Sequence, residues 1–464
     1  MMTPKQPLLD KLIPIQQEHL LKYWDFLDEP SKERLARQIE ALDTSLFIHQ
    51  RGLLSAHASA SMESMGPFVP SSASGFLQDI EAGKRLLSDG KAGCLVVAGG
   101  QGTRLRFEGP KGMYPISPVK KKTLFQILAE KILAVSKQVG HAVPLAIMTS
   151  PLNHQTTVEF FAGHNNFGLQ AGQLCFFMQK MLPFITPEGD VFLEGPDAIA
   201  CGPDGNGGSL HQFYESGIWK KWFDAGVRHV HYVLIDNPLC DPVDAELLGF
   251  HVKHQADVTV KCILREDPSE QVGVLVRKDD HVQVIEYSEI PSEERNAVNV
   301  DGSLKHPCAN ISVFCFAMAF IEKIIPRQLP LHKAFKAAKK EVSPGKFLLS
   351  SEPCAWKFER FIFDVLPFAQ RIEGLLYNRR VCYAPLKNLS GAGSPEAVQK
   401  ALIARDRQIL QEISGHCTGS GDSLLEIAQD FHYPTPELLL AWKSRKIPQE
   451  EYISATKVAR PSRP

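Results

Sequence analysis

The stretch "LVVAGGQGTRLRFEGPKGMYPI" runs from Leu95 to Ile116 and places an apolar run directly before a turn rich in glycine and basic residues. The turn holds five glycines, two arginines and one lysine. Glycine allows a backbone to approach a ligand closely, and guanidinium and ammonium groups match phosphate oxygens. The stretch therefore predicts a polyphosphate site at the end of a strand. A strand-to-helix turn without a ligand is the alternative.

The same stretch departs from two common phosphate-binding motifs. A dinucleotide fingerprint needs a small residue where this chain has Leu105, because that position packs closely against the strand. A Walker-type loop needs a hydroxyl residue after its lysine, whereas Lys111 lies between Pro110 and Gly112. These departures argue against a Rossmann dehydrogenase and against a P-loop kinase.

Composition limits the class of protein. With 464 residues, 44% hydrophobic and 22% charged, the chain is expected to form two or three globular domains. Its net charge of -1 provides no electrostatic attraction for nucleic acid or acidic lipid, so we expect neither a nucleic-acid nor a membrane partner.

The N-terminal residues lack the apolar core of a signal peptide, and the run "ISVFCFAMAFI" is about half the length of a membrane span. The ten cysteines include no C-x-x-C pair, which indicates reduced core residues in a cytoplasmic protein.

The chain divides into three predicted parts. Residues 1–75 read as a helical appendage, with apolar positions at helical spacing in "LLKYWDFL" and "KERLARQIEALD", followed by the linker-like stretch "SAHASASMESMGPFVPSSAS". Residues 76–375 form the predicted central domain, which contains both glycine-rich turns. Residues 376–464 form a smaller C-terminal domain, in which "RVCYAPLK" is predicted as a strand and "SPEAVQKALIARDRQILQEI" as a helix.

The central part alternates between short apolar runs and amphipathic segments of helical length. The predicted strands are "GCLVVAG", "VPLAIMTS", "QLCFFMQ", "HVHYVLID" and "DVTVKCILR", and the predicted helices are "TLFQILAEKILAVSK", "GSLHQFYESGIWKKWF" and "DAELLGFHVKHQ". This alternation predicts an α/β protein with a largely parallel, doubly wound sheet and helices on both faces. The runs "VGVLVRK" and "HVQVIEYSEI" predict an antiparallel hairpin added to that sheet.

Two further segments carry polar side chains at predicted strand ends. The second glycine-rich turn, "CGPDGNGGSLHQF", is either a plain loop or a cover for the other end of an extended ligand. Asp236 ends the apolar run "HVHYVLID" and is followed by Asn237. A carboxylate at this place is a usual ligand for Mg²⁺ shared with substrate phosphates, although it could also cap the next turn.

The motifs together carry a family resemblance. In chain order they are "LVVAGGQGTRL", "PKGMYPI", "MLPF", "PDGNGG", "IDNPL", "VGVLVRK", "VIEYSEI", "CANISVF", "KFERFIFD" and "APLKN". They resemble the eukaryotic-type UDP-N-acetylhexosamine pyrophosphorylases of the UTP:sugar-1-phosphate uridylyltransferase family, over residues 75–390. The resemblance implies a GT-A/Rossmann-like nucleotide-binding sheet, flanking N- and C-terminal domains, and conversion of UTP and a sugar 1-phosphate into a UDP-sugar and pyrophosphate.

The implied reaction agrees with the residues present. The attacking sugar phosphate is already ionised near neutral pH, so neither a general base nor a protein nucleophile is needed. Attack on the α-phosphorus needs positioning and positive charge, which Arg104, Lys111 and Mg²⁺ can supply.

The resemblance also implies roles for individual residues. Nucleotide contacts would come from Ala98, Gly99, Gly100, Gln179, Gly205 and Asp236, with Asp236 also holding the metal. Sugar contacts would come from Asn206, Glu286, Asn310, Phe361 and Phe363. Lys387 would reach the phosphates and join Arg104 and Lys111 as a catalytic residue. Phe361 and Phe363 could alternatively be core residues, and Glu286 a solvated strand residue.

The chain departs from the family pattern at several positions, which are Arg106, Phe107 and Glu108 after "GTRL", Ala309 before Asn310, and the pair Lys180 and Met181. These departures concern the sugar rather than the phosphates. N-acetylglucosamine 1-phosphate is the expected substrate. A UDP-glucose or broad-specificity pyrophosphorylase and a nucleotide-sugar-binding regulator without turnover are the alternatives.

Overall fold

A computed structural model describes residues 3–55, 65–279, 281–416 and 423–455. The chain packs into two units. The first unit contains the N-terminal helices together with Gln179–Gly208 and Gln328–Asp364, and the second contains the remaining described residues. Each unit is made of three separate stretches of the chain. The division into three consecutive domains, residues 1–75, 76–375 and 376–464, stays a prediction.

The helices of the described residues are α1 Gln6–Leu12, α2 Glu29–Ala41, α3 Thr44–Ser55, α4 Leu77–Ser88, α5 Leu124–Val139, α6 His154–Gly163, α7 Ser209–Glu215, α8 Ile218–Asp224, α9 Ala245–Lys253, α10 Ser292–Asn296, α11 Met318–Ile324, α12 Arg379–Cys382, α13 Pro395–Ser414 and α14 Pro436–Trp442. Short 3₁₀ turns lie at Thr103–Leu105 and Lys111–Met113.

The strands are β1 Met65–Pro67, β2 Ser72–Ala73, β3 Ala92–Val97, β4 Leu145–Thr149, β5 Leu174–Met178, β6 Met181–Pro183, β7 Leu193–Gly195, β8 Ala198–Ile199, β9 Cys201–Pro203, β10 His229–Leu234, β11 Val258–Leu264, β12 Gly273–Lys278, β13 His281–Ile285, β14 Cys308–Ala317, β15 His332–Lys336, β16 Lys339–Ser343, β17 Lys346–Leu349, β18 Ala355–Glu359, β19 Ile372–Leu376, β20 Glu426–Ile427 and β21 Tyr452–Ile453.

The second unit is built on one large sheet with the strand order β2-β19-β11-β14-β10-β3-β4-β5. Neighbours along this order are parallel except on the two sides of β14. Val96 of β3 shares a hydrophobic core with Phe125 and Ile132 of α5. On the opposite face of β3, a Cβ at Gly93 would lie 2.5 Å from the Trp222 ring of α8. Helices therefore cover both faces, and the predicted α/β class is confirmed.

Most of the predicted elements of the second unit are confirmed. The five predicted strands correspond to β3, β4, β5, β10 and β11, and β12 pairs with β13 as the predicted antiparallel hairpin. Parallel strands that run the same way place the ends of β3, β4 and β10 at one edge of the sheet. The glycine turn and Asp236 follow β3 and β10 at this edge.

Three predictions about local structure are wrong. "RVCYAPLK" forms the short helix α12 and an irregular segment rather than a strand, and the adjacent strand of the sheet is β19. The predicted helix over residues 208–223 is two helices, because Gly217 adopts a φ of 78° between α7 and α8. In the predicted linker, β1 and β2 pair with the sheet, while residues 56–64 lie outside the described residues.

The first unit has a core of its own. α1, α2 and α3 pack buried leucine, isoleucine and phenylalanine side chains against Leu182, Ile185, Val191 and Phe358. Small antiparallel pairs complete this unit, β6 with β9, β7 with β8, β15 with β18 and β16 with β17. Among the described helices of both units, none is long and apolar enough to cross a membrane.

Candidate active site

The first glycine turn is held by hydrogen bonds from two sides. Asn153, which is buried before α6, donates through Nδ2 to Ala98 O at 3.1 Å and to Gly100 O at 3.3 Å. Lys111 N donates to Gly100 O at 3.1 Å from the returning arm of the turn. Ala98 and Gly99 are buried, whereas Gly100 is exposed and a Cβ there would meet no atom within 4 Å. The backbone at Gly100 is thus open to a ligand.

Lys111 and Asp236 meet at the carboxyl edge of the sheet. Lys111 Nζ donates to Asp236 Oδ2 at 3.2 Å, and both side chains are mostly buried. Packing requires glycine at position 112, because a Cβ there would lie 2.2 Å from the Phe125 ring. The lysine and the carboxylate that the sequence assigned to phosphate and metal chemistry therefore lie together.

Lys387 is brought to the same edge by the segment after α12. Asp236 O accepts from Leu386 N at 2.7 Å, which ties this segment to the end of β10. Burial lowers the pKa of Lys387, but interactions with Tyr383 and Asp236 outweigh burial, and the pKa is raised. Lys387 is therefore a cation at neutral pH, and it interacts electrostatically with the carboxylate that Lys111 contacts.

Two residues that the sequence analysis gave no role support this arrangement. Asn237 donates through Nδ2 to Cys382 O at 2.8 Å and accepts at Oδ1 from Ala384 N at 3.0 Å. Lys131 is buried and donates to Pro238 O at 2.8 Å and to Cys240 O at 3.0 Å. An amide directly after Asp236 in the sequence is a signal from which the role of Asn237 could have been predicted. Nothing local marks Lys131, which lies within the amphipathic pattern of α5.

Three further predicted site residues of the second unit, Arg104, Glu286 and Asn310, lie on or directly after different elements. Arg104 is exposed on the 3₁₀ turn that follows the glycines. Glu286 follows the end of β13 and contributes to the raised pKa of Lys387. Asn310 is buried in β14, where its Oδ1 accepts from Ser312 N at 3.0 Å. Glu286 thus lies within electrostatic range of Lys387.

The first unit brings together the predicted residues of the second glycine turn and the segment after β18. Asn206 Oδ1 accepts from Ile362 N at 2.9 Å, between Phe361 and Phe363 in sequence. The two phenylalanine rings stack with centroids 5.0 Å apart and an interplanar angle of 23°. Gln179 is also buried, and it is the first residue of the stretch Gln179–Gly208 in this unit.

Gly205 packs against protein backbone. Its φ is +84°, and a Cβ there would lie 2.4 Å from Arg360 O. This contact alone requires glycine at the position. The role of Gly205 in nucleotide binding stays a prediction.

Asp236 is the one predicted metal ligand. No group of three or more histidine, cysteine, aspartate or glutamate side chains capable of holding a metal occurs among the described residues. A single carboxylate fits Mg²⁺, because this ion retains several waters and its coordination shell is usually completed by substrate phosphates.

Nine cysteines within the described ranges are free.

Comparison with known proteins identifies the family. The profile of the UTP–glucose-1-phosphate uridylyltransferase family matches residues 68–391. The chain belongs to this family. It is 33% identical to the UDP-N-acetylhexosamine pyrophosphorylase-like protein 1 of Homo sapiens, over 87% of this chain and 85% of that protein. It is 31% identical to the UDP-N-acetylglucosamine diphosphorylase 1 of Arabidopsis thaliana, over 93% of each.

A solved structure confirms the fold. The uridine diphosphate N-acetylglucosamine pyrophosphorylase of Trypanosoma brucei, in complex with an inhibitor, superposes with a TM-score of 0.80 at 23% identity and covers 98% of both chains. The predicted family and fold class are confirmed. The chain is a uridylyltransferase, with UTP and a sugar 1-phosphate as substrates and a UDP-sugar as product.

Proposed function

We propose that this uridylyltransferase makes UDP-N-acetylglucosamine and pyrophosphate from UTP and N-acetylglucosamine 1-phosphate by direct in-line attack on the α-phosphorus. The observation that carries the proposal is the grouping of Lys111, Lys387 and Asp236 at the carboxyl edge of the sheet. The human relative is named for UDP-N-acetylhexosamine and the Arabidopsis thaliana relative for UDP-N-acetylglucosamine, which supports this choice of sugar.

The lysines have the chemistry that the reaction needs. Negative charge develops between the α-phosphate and the departing pyrophosphate, and preorganised cations stabilise it without reorganisation. The bond of Lys111 Nζ to Asp236 holds the first ammonium group, and backbone bonds hold the segment that carries Lys387 before substrate arrives. Arg104 lies exposed on the glycine turn and would supply a third positive charge to the triphosphate.

Mg²⁺ is the proposed cofactor, with Asp236 as its protein ligand. When bound, the ion would neutralise the triphosphate and withdraw charge from the α-phosphorus. Lys111 already donates to Asp236 Oδ2, so this carboxylate is oriented by a bond from its own chain.

The proposed substrate contacts follow the family resemblance. Ala98, Gly99, Gly100, Gln179 and Gly205 would contact the nucleotide, and Asn206, Glu286, Asn310, Phe361 and Phe363 would contact the sugar. The buried amide of Gln179 suits hydrogen bonding to the uracil edge, because an amide presents both a donor and an acceptor. A cytoplasmic location stays a prediction.

Glucose 1-phosphate is the second candidate substrate, since the family description names it. The two are separated by measuring pyrophosphate release from UTP and Mg²⁺ with N-acetylglucosamine, N-acetylgalactosamine or glucose 1-phosphate. We expect the highest kcat/KM with N-acetylglucosamine 1-phosphate. A clear preference for glucose 1-phosphate would overturn the proposal.

A further inference from the structure

A buried ion pair joins the second glycine turn to the segment after β18. Arg360 Nη1 donates to Asp204 Oδ2 at 2.7 Å, and the side chain of Asp204 is 4% exposed. The same residues also bond through the backbone, where Arg360 N donates to Asp204 O at 2.8 Å. The turn and the segment are therefore connected twice at one point.

Next to this pair, two glycines allow the two backbones to touch. A Cβ at Gly207 would lie 2.6 Å from the Arg360 carbonyl carbon, and one at Gly205 would lie 2.4 Å from the Arg360 carbonyl oxygen. Gly207 N donates to Arg360 O at 2.9 Å. Because this fit leaves no space for a side chain, the position of Arg360 determines the position of the turn.

Three of the five residues proposed to contact the sugar, Asn206, Phe361 and Phe363, lie directly beside this ion pair in the chain. Asn206 is between the two glycines, and its Oδ1 is occupied by Ile362 N. Asp364 Oδ2 accepts from Phe361 N at 3.2 Å and bonds His332 Nε2 at 3.0 Å, so the phenylalanine segment is held at its other end as well. A shift of Arg360 relative to Asp204 would therefore change the position of the Asn206 amide relative to the two rings.

Burial opposes the charged form of Asp204 in this pair. Burial raises the pKa of Asp204 to about 6, although Arg360 and Lys180 lower it, and Glu359 adds to the increase. Its Oδ1 has no hydrogen-bond partner within the described part of the chain. Apolar residues of similar size can replace a buried ion pair without loss of stability, so the directional bonds of this pair call for another explanation.

We propose that the Asp204–Arg360 pair is a positioning element that sets the enzyme's selectivity for the N-acetyl group of the sugar 1-phosphate, by fixing Asn206 relative to Phe361 and Phe363. The proposal rests on the proposed function, because it assigns a cause to the sugar preference of that reaction. Neither charged residue is required to touch the reacting atoms.

The test compares Asp204→Asn, Arg360→Lys and the double variant with the wild-type enzyme. In Asp204→Asn we expect the KM for N-acetylglucosamine 1-phosphate to rise, and its kcat/KM advantage over glucose 1-phosphate to fall by about tenfold, the scale on which pocket contacts discriminate similar substrates. The KM for UTP should stay within about twofold. Arg360→Lys keeps the charge without the planar fork and should lose less selectivity. The double variant should add little to Asp204→Asn, since both changes break one interaction.

Asp25→Asn is the matched control, because it removes a carboxylate of an exposed ion pair with Lys5 in the same unit. This variant should keep wild-type constants. Circular dichroism and thermal melting establish that each variant is folded. A folded Asp204→Asn enzyme with unchanged sugar selectivity would overturn the proposal, and so would an equal loss for both sugars and UTP.

Gly207→Ala covers the case in which Asp204→Asn fails to fold. It keeps both charges but pushes the turn away from Arg360, and it should reduce the same selectivity. Unchanged selectivity in this variant would also overturn the proposal. Failure of the proposed function is a separate result, in which the wild-type enzyme itself shows no preference for N-acetylglucosamine 1-phosphate.

Discussion

Lys111 Nζ lies 3.2 Å from Asp236 Oδ2, although the two residues are 125 positions apart in the chain. One residue follows β3 and the other follows β10, and these strands are parallel neighbours with Val97 in register with Leu234. The parallel pairing of β3 and β10 thus brings Lys111 of the glycine turn into contact with Asp236, the predicted metal ligand.

Replacement of Lys111 tests the catalytic role of this pair. Lys111→Ala should lower kcat by on the order of 10² to 10³, with a smaller effect on the KM for UTP, because a preorganised charge acts mainly in the transition state. Lys111→Arg should restore only part of the activity, since a planar fork does not fit a point-charge site. Lys137→Ala, which removes an exposed ion pair with Asp430, is the control for a lost lysine. A folded Lys111→Ala enzyme with near-normal kcat would contradict the mechanism.

Asn237 links the end of β10 to the segment that carries Lys387. Asn237→Ala leaves Cys382 O and Ala384 N without their partner, and each unsatisfied buried group costs roughly 1 to 3 kcal/mol. We expect a lower unfolding free energy in urea and a lower kcat, since Lys387 loses its fixed position. Asn296→Ala, which loses an exposed bond to Ser292 O, should change neither quantity. Unchanged stability and kcat in Asn237→Ala would show that the link has no such role.

Gln179 is predicted to select the base. A buried amide that bonds uracil is left unsatisfied by cytosine or adenine, at a cost of roughly 1 to 3 kcal/mol for each lost bond. The wild-type enzyme should therefore prefer UTP to CTP and ATP, and Gln179→Ala should narrow this preference. Steady-state rates with the three nucleotides provide the measurement. The same ranking and ratios in the variant would remove Gln179 from the nucleotide site.

Buried histidines should make the second unit sensitive to acid. Burial lowers the pKa of His229 and His231 to about 4 and that of His251 to about 3. An unfolded histidine binds its proton near pH 6.5, so the stability from these groups is full above pH 6.5 and is lost as the pH falls towards 4. Each group accounts for up to roughly 3 kcal/mol of that loss.

Thermal melting between pH 7.5 and pH 4.5 measures this effect. We expect His231→Leu to flatten the decline of the melting temperature, because the variant has one fewer buried group to protonate. His281→Gln changes an exposed histidine and should keep the wild-type profile. Parallel profiles for wild type and His231→Leu would contradict the explanation.

Much of the central sheet could be predicted from local pattern. β3, β4, β10 and β11 are buried on both faces, so their sequences are continuous apolar runs that differ from the helical spacing of α5. The wrong predictions have physical reasons. β-branched and aromatic residues in "RVCYAPLK" favour a strand, but the Asn378 side chain accepts from Arg380 N and starts a helical turn there. Gly217 lies within an amphipathic pattern that gives no sign of its φ of 78°.

The sequence by itself determined the fold class, the family and the residue types of the site, because apolar periodicity and glycine-rich turns are local properties of the chain. Only the tertiary structure decided which of these residues lie together. Lys111 with Asp236, Asn237 with the segment of Lys387, and Asp204 with Arg360 are each more than 100 positions apart. Their contacts depend on the order and direction of strands and on backbones that touch at glycine. No local pattern encodes these relationships, since they arise only when distant segments pack.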